Sequence, residues 1–165
     1  MFDRAFWFSP GEGRWTILVR LLLAGVFVPE GIQKLIFPEI LGAGRFAKIG
    51  IPWPEFTGPL VGWFELGCGL LLLVGLFGRL ASVPIIVIMI VAIVSTKIPI
   101  LLGHDWLIFH VRSLDSYGFW SMAHETRTDW AMLLGAVFVL LSGSGRWSLD
   151  ERLWGLRTEV GSPTS

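Results

Sequence analysis

The most apolar stretch of the sequence is PIIVIMIVAIV, which occupies residues 84–94. It lies within a segment from about residue 80 to residue 100 in which Lys97 is the only charged side chain. About twenty apolar residues cross the hydrocarbon core of a bilayer as an α-helix. A single strand would be far shorter and would leave its backbone N–H and C=O groups without partners in lipid. The stretch therefore predicts a membrane-spanning helix.

Three further segments of the sequence have a similar apolar character. They extend over about residues 15–34, 59–78 and 128–143. The second and third spans are joined by Phe77-Gly78-Arg79, and so short a turn makes them antiparallel neighbours. We therefore predict an all-α integral membrane protein, a four-helix bundle of up-down-up-down topology in which residues 1–155 form a single membrane domain. The polar residues 156–165 are expected to be a disordered tail.

The composition of the chain supports this prediction and excludes other classes. Of the 165 residues, 53% are hydrophobic and 16% are charged, whereas about a quarter of the residues of soluble domains are charged. Lys and Arg number 13 and so do Asp and Glu, so the chain lacks the basic excess of a nucleic-acid-binding protein. Its nine Trp and twelve Phe residues exclude a disordered chain. We expect the lipid bilayer to be a partner and expect no nucleic acid.

The distribution of basic residues indicates the orientation of the predicted bundle. Seven Lys and Arg residues belong to the side that carries both termini, and six belong to the opposite side. The positive-inside rule then places both termini in the cytoplasm, for a multi-pass protein of the cell membrane. Residues 101–127 connect the third and fourth helices and carry Trp106, Phe109 and Trp120. We expect this aromatic, amphipathic loop to lie at the membrane interface.

Five of the charged residues that interrupt or border the spans form a candidate polar pocket. They are Arg20, Glu30, Lys34, Glu65 and Lys97. A charged side chain in hydrocarbon costs about 3 kcal/mol or more, so such groups usually face other helices and pair. Counted along antiparallel helices, all but Arg20 fall in one layer near the face opposite the termini. Glu65 continues the spacing of Gly58, Gly62 and Gly69, a stripe of small residues expected to pack against neighbouring helices.

Two interpretations of these charges are open. The first is a set of compensated pairs that fix the register of the helices, such as Glu30 with Lys34 four residues later. The second is a pocket for a quinone head group or a small anion, or a path for protons. Lys97, near a helix end, also fits an anchor that reaches towards the interface.

The three histidines are candidate metal ligands in the loop between the third and fourth helices. They are His104, His110 and His124, with carboxylates nearby. The spacing of His104 and His110 matches no established metal motif, so we expect solvated side chains at the interface and no metal. Cys68 is the single cysteine, which excludes a disulfide within one chain, and its glycine neighbours indicate a small packing residue.

Two short signals mark helix ends near the C-terminal part of the chain. Asp129, just before Trp130, is expected to cap the fourth helix. Ser148 and Glu151 have the spacing of a capping box, which predicts a short surface helix after the last span.

Three sequence motifs resemble those of the DoxX family of small four-helix membrane proteins. The first is RLLLAGVF at residues 20–27, followed by GIQK at 31–34. The second runs from GIP at 50–52 through VGWFELG at 61–67 to GLFGRL at 75–80, and the third is GSGRWSLD at 143–150. The resemblance covers nearly the whole chain. It departs from many members at Glu30, where they have histidine.

The resemblance implies an association with membrane redox chemistry. Some members of the family are subunits of a thiosulfate:quinone oxidoreductase, and others resemble scaffolds that join thiol-handling and superoxide-detoxifying enzymes. The first hypothesis is therefore a quinone- or thiol-linked membrane subunit, with a quinone as the candidate cofactor. The alternative is a non-enzymatic scaffold or anchor for a redox partner, and a third hypothesis is a small transporter. The protein partner would be a redox enzyme or a second copy of the chain.

Overall fold

The computed structural model describes residues 6–7, 11 and 13–153. Within these ranges the regular elements are helical and no β-strand occurs. The helices are α1 (Thr16–Ile36), α2 (Ala43–Ile49), α3 (Pro54–Val74), α4 (Gly78–Ala92), α5 (Ile98–Leu102) and α6 (Phe119–Ser142). A π-helical segment, Ile93–Lys97, joins α4 to α5. The predicted tail, residues 156–165, lies outside the described residues.

Three of the helices are long and apolar enough to span a membrane. They are Thr16–Ile36, Pro54–Val74 and the continuous helix Gly78–Leu102. α6 has 24 residues, but its N-terminal half carries Glu125, Arg127 and Asp129, which make it less apolar than the other three. The chain is therefore an all-helical membrane protein.

The limits of two helices differ from those of the predicted spans. α3 begins at Pro54, before residue 59, because a proline in the first helical turn needs no partner for its missing N–H. α6 begins at Phe119, well before residue 128. The prediction was too short because it rested on apolar composition, which identifies the lipid-compatible part of a helix and misses its polar extension. Gly118 occupies the N-cap of α6, so the interpretation of Asp129 as a cap is wrong. The non-helical connection before α6 is therefore shorter than the predicted loop of residues 101–127.

The long helices pack in pairs. α1 packs mainly against α3 and α4 packs mainly against α6, with smaller contacts between α3 and α4 and between α1 and α6. The core between them is apolar and includes the buried side chains of Phe27, Leu72, Ile85 and Val139.

The glycine stripe of α3 faces other elements, as its spacing predicts. Gly58, Gly62 and Gly69 are buried, and so is Glu65 between them. The close approach is completed from α1 by Gly31, where a Cβ atom would lie 2.5 Å from the backbone nitrogen of Leu66. Because the two helices pack with little space between their backbones here, the charged residues of α1 lie beside those of α3.

Arg20 joins distant parts of the chain at one end of the helices. The residue is 1% exposed, and its guanidinium donates hydrogen bonds to the carbonyl oxygens of Leu72 (2.9 Å) and Leu73 (3.1 Å) near the end of α3. It also donates to the carbonyl oxygens of Ser144 (2.9 Å) and Trp147 (3.3 Å), which follow α6. Carbonyl groups at helix ends have no partner within the helix, and Arg20 supplies one for two separate segments.

Asp150 holds the start of α4 at the same end. Its carboxylate accepts hydrogen bonds from the backbone N–H groups of Phe77 (2.8 Å) and Gly78 (3.2 Å). It also accepts one from the hydroxyl of Ser144 (2.5 Å). A negative charge at a helix N-terminus is favoured by the helix dipole and satisfies N–H groups that the helix itself leaves free.

Arg79 links α4 to α6 at this end. Its guanidinium donates to the carbonyl oxygens of Leu140 (3.2 Å) and Leu141 (3.3 Å). One half of the capping box predicted after the last span forms here, since the N–H of Glu151 donates to Oγ of Ser148 (3.1 Å). The carboxylate of Glu151 accepts instead from the N–H of Trp147 (2.8 Å). Arg20, Arg79, Ser144 and Asp150 together form the terminal cluster.

Candidate functional site

A cavity of about 580 Å³ lies between the helices, towards the end opposite the terminal cluster. It is lined by residues of α1, α2, α3, α4, the π-helical segment and α6. Most of its surface is apolar, with contributions from Phe27, Phe46, Leu60, Phe64, Val87 and Met132. A cavity of this size and character suits a small organic molecule with an apolar body.

Lys34 forms the first polar group in the wall of the cavity. Its Nζ atom lies 2.6 Å from Oε2 of Glu65 and 3.2 Å from Oε2 of Glu30. The side chains of Lys34 and Glu65 are 9% and 4% exposed, whereas that of Glu30 is 46% exposed. The contact with Glu65 is the shorter of the two, and a carboxylate oxygen with two lone pairs can accept a further hydrogen bond beside it. The arrangement places a buried ion pair in the wall of a mainly apolar cavity.

Lys97 forms a second ion pair in the wall of the same cavity. Its Nζ atom lies 3.1 Å from Oδ2 of Asp129, and the two side chains are 12% and 21% exposed. Lys97 closes the π-helical segment, and Asp129 lies within α6. This pair therefore stands on different helices from the pair formed by Lys34 and Glu65.

The π-helical segment explains how Lys97 reaches the cavity. A π-helical turn holds an extra residue, which turns the side chains that follow it around the helix axis. The hydroxyl of Thr96 donates to the carbonyl oxygen of Ala92 (2.6 Å), and that of Ser95 lies 3.4 Å from the same oxygen. Both hydroxyls are therefore used in hydrogen bonds to the backbone of the π-helical turn. The ammonium group of Lys97 is the donor of this segment that is left for a ligand in the cavity.

The charges that line the cavity balance. Arg45 of α2 adds a third cation to Lys34 and Lys97, and the three carboxylates are Glu30, Glu65 and Asp129. A cavity with balanced charge and an apolar surface favours a neutral ligand with polar atoms over an ion, because an ion would bring an uncompensated charge into hydrocarbon.

The structure brings four residues of the predicted polar pocket to one cavity and leaves the fifth elsewhere. Glu30, Lys34, Glu65 and Lys97 line the cavity, whereas Arg20 belongs to the terminal cluster. Sequence reasoning missed Arg45, because this residue lies on α2, which falls outside the four predicted spans. It also missed Asp129, whose position inside a helix followed only from the true start of α6.

The histidines lie away from the cavity. His110 contacts Oδ2 of Asp105 (2.9 Å), and the N–H of Val111 donates to Oδ1 of Asp105 (2.8 Å). The hydrogen bond from Val111, followed by that from His110, lowers the pKa of Asp105 below its ordinary value. His124 lies beside Arg127, and within the described ranges no group of three or more His, Cys, Asp or Glu residues is placed to hold a metal ion.

Comparison with family models gives a match over the part of the chain that contains α1 to α4 and the π-helical segment. The DoxX model matches residues 16–98, which is half of the chain. The chain belongs to the DoxX family. The DoxX match includes Glu30, Lys34, Glu65 and Lys97, and it ends before the motif at residues 143–150.

A relative is similar over a longer part of the chain. An uncharacterized membrane protein of Mycobacterium tuberculosis is 48% identical over 147 residues, which cover 89% of this chain and 86% of the relative. No solved structure matches the chain.

Proposed function

We propose that this DoxX-family protein binds a quinone head group in the cavity and acts as the membrane subunit of a redox system. The observation that carries the proposal is the Lys34–Glu65 ion pair, which stands against a mainly apolar cavity of about 580 Å³. An ammonium group donates hydrogen bonds to a quinone carbonyl, and the apolar walls accept the ring and the beginning of its isoprenoid tail.

The chemistry of a quinone also uses the carboxylate of this pair. Reduction to a quinol needs two electrons and two protons. In our proposal a partner redox enzyme supplies both electrons, and both protons come from the surrounding water, with Glu65 passing them to the head group one at a time. Glu30 contacts the same lysine and is half-exposed, so it connects the buried carboxylate to the outer part of the cavity.

The balanced charge of the cavity favours a quinone over an anionic ligand. Three cations and three carboxylates line it. A neutral quinone adds hydrogen-bond acceptors without adding charge, whereas a fatty acid or a free inorganic anion would leave one negative charge uncompensated.

We further propose that α6 crosses the membrane as a fourth span and completes an up-down-up-down bundle in the cell membrane. The terminal cluster supports this, because it joins the start of α1, the end of α3, the start of α4 and the end of α6. Both termini would then lie on the cytoplasmic side. Attachment of a membrane-impermeant reagent to cysteines introduced at positions 146 and 115, after replacement of Cys68, would test this orientation.

Quinone binding is tested with the purified protein in lipid nanodiscs. The probe is a 1,4-naphthoquinone with a short prenyl tail, and binding is followed by quenching of tryptophan fluorescence. The double variant K34M/E65Q removes the pair without leaving a buried charge, and we expect it to bind at least about tenfold more weakly than the wild type. The double variant R112M/E125Q is the matched control, because that ion pair lies outside the cavity. Absence of saturable binding, or equal affinity in both doubles, would refute the proposal.

A scaffold function is the second candidate and is favoured by a different observation. Leu107, Ile108, Phe119 and Trp120 are exposed in and next to the connection before α6, Leu107 to 79% and Trp120 to 83%. Exposed apolar side chains of this kind suit contact with a partner at the membrane surface. The test is co-purification of a redox enzyme after mild solubilisation. Loss of that enzyme from the variant L107S/W120S, with unchanged quinone binding, would support the scaffold.

A further inference from the structure

We propose that the cavity recognises both carbonyl groups of a 1,4-quinone, with Lys34 at one and the Lys97–Asp129 pair at the other. This inference rests on the proposed quinone site and specifies the ligand that the site selects. Its structural basis is the presence of two separate ion pairs in the wall of a single cavity.

The two ion pairs stand on different parts of the bundle. Lys34 and Glu65 belong to α1 and α3, which pack together, whereas Lys97 and Asp129 belong to the π-helical segment and α6. A ligand held among these helices therefore has one donor group available from each helix pair. The two oxygen atoms of a 1,4-quinone point in opposite directions from the ring, which fits donors supplied from two sides.

Each lysine keeps donor capacity for a ligand. An ammonium group has three N–H donors. Among the described residues, Lys97 forms an ion pair with Asp129 alone, and Lys34 forms ion pairs with Glu65 and Glu30. At least one N–H of each lysine is thus left for a further acceptor, and the paired carboxylate prevents an excess of charge at either position.

The position of Lys97 favours a ligand-binding role over a purely structural one. Lys97 and Asp129 are 12% and 21% exposed and line the cavity, so the pair is not enclosed between the two helices. It also lies at the end of a π-helical segment. Such segments cost hydrogen-bond geometry and are frequent at functional sites.

The test compares two ligands that carry the same prenyl tail. One is the 1,4-naphthoquinone used above, and the other is a 1-tetralone, which has a single carbonyl group. Equilibrium binding of each is measured to the wild type, to K97M/D129N and to the control R112M/E125Q in nanodiscs. The double substitution removes both charges of the pair, so neither remains uncompensated, and a thermal unfolding midpoint confirms that the variant is folded.

We expect the wild type and the control to bind the dione about tenfold more tightly than the ketone, as one hydrogen bond from a charged donor allows. In K97M/D129N the two affinities should agree to within about twofold, because only the Lys34 donor remains for either ligand. The two affinities should agree in K97M/D129N whether the ketone binds at Lys34 or at Lys97 in the wild type.

Two outcomes would overturn the inference. These are equal affinities in the wild type, and a dione preference that persists in K97M/D129N, whether or not both ligands bind this variant more weakly. In both the dione still binds the wild type, so the proposed function survives. A wild type that binds neither ligand refutes both proposals.

Discussion

At the scale of the residue, the two lysines of the cavity differ in how they are neutralised. Lys34 lies between Glu65, which is 4% exposed, and Glu30, which is half-exposed. Lys97 has the single carboxylate of Asp129. Removing one member of a buried pair leaves an uncompensated charge, and this costs far more than removing the whole pair.

The Lys34–Glu65 pair yields the first prediction. K34M should lower the free energy of unfolding by about 3–5 kcal/mol because the Glu65 carboxylate loses its buried counter-charge. K34M/E65Q should recover most of that loss. The measurement is a denaturant or thermal unfolding series in detergent. R112M, which breaks an exposed pair, should cost no more than about 1 kcal/mol. A double variant as unstable as K34M would show that the loss has another origin.

Asp105 yields a prediction about pH in the connection before α6. Its pKa is lowered in the folded protein, so its hydrogen bond from Val111 is fully formed above about pH 4. The stabilisation of the connection that it provides is lost as the pH falls through the lowered pKa. The chemical shift of the Val111 amide proton, followed by NMR, should report this transition. D105N should abolish it and D115N, at an exposed position of the same connection, should not. A midpoint at or above the ordinary value for Asp would contradict the assignment.

At the scale of the element, glycines bring α1 against α3 and a π-helical segment directs Lys97 into the cavity. Gly31 faces Leu66 and Gly62 so closely that no side-chain atom fits between the two backbones. Small residues at such contacts allow the van der Waals packing that holds helices together in lipid. The same contact sets Lys34 beside Glu65, so the geometry of the ion pair depends on it.

Two glycines of α1 provide a matched test of this packing. G31A should destabilise the protein by about 1–3 kcal/mol, because its Cβ would lie 2.5 Å from the nitrogen of Leu66. It should also weaken quinone binding by displacing Lys34 from Glu65. G25A changes the same helix where nothing lies within 4 Å, and it should be neutral or slightly stabilising. Unfolding in detergent measures both, and equal effects would argue against close packing at Gly31.

At the scale of the whole molecule, the two ends of the packed helices differ in the polar residues that they carry. The terminal cluster joins segments that are far apart in sequence through hydrogen bonds to backbone groups. The single side chain of Arg20 contacts both the end of α3 and the segment after α6. The opposite end contains the cavity and the ion pairs that line it. We infer that the first end maintains the assembly of the helices and the second binds the ligand.

This division yields a prediction about Arg20. R20K should destabilise the protein by about 3 kcal/mol or more, because an ammonium group cannot reproduce four hydrogen bonds made by a planar guanidinium. The affinity of the remaining folded protein for the naphthoquinone should stay within about twofold, since this change removes no hydrogen bond to the ligand. The control is R146K, which changes a half-exposed arginine in the segment after α6. It should leave the stability and the affinity for the naphthoquinone unchanged. A selective loss of naphthoquinone binding in R20K would indicate that Arg20 is part of the ligand site.

The sequence by itself determined the helical membrane class, because long apolar runs have only one stable form in lipid when they are not part of a closed barrel. It also determined the buried face of α3, since glycine spacing is a local property of one helix. The layer of Glu30, Lys34, Glu65 and Lys97 followed from counting along antiparallel helices. These inferences need only helix geometry and the solvent.

Only the tertiary structure decided which charges pair and what they surround. Glu65 had no partner in its own helix, and its pairing with Lys34 depends on the close approach of α1 and α3. Asp129 pairs with Lys97 because a π-helical turn rotates the lysine by about 100° relative to a regular helix. Arg20 resembled the other buried charges in sequence, yet its partners are carbonyl oxygens at the far end. Hydropathy and periodicity are local, whereas ion pairs and cavities depend on how separate helices are placed against one another.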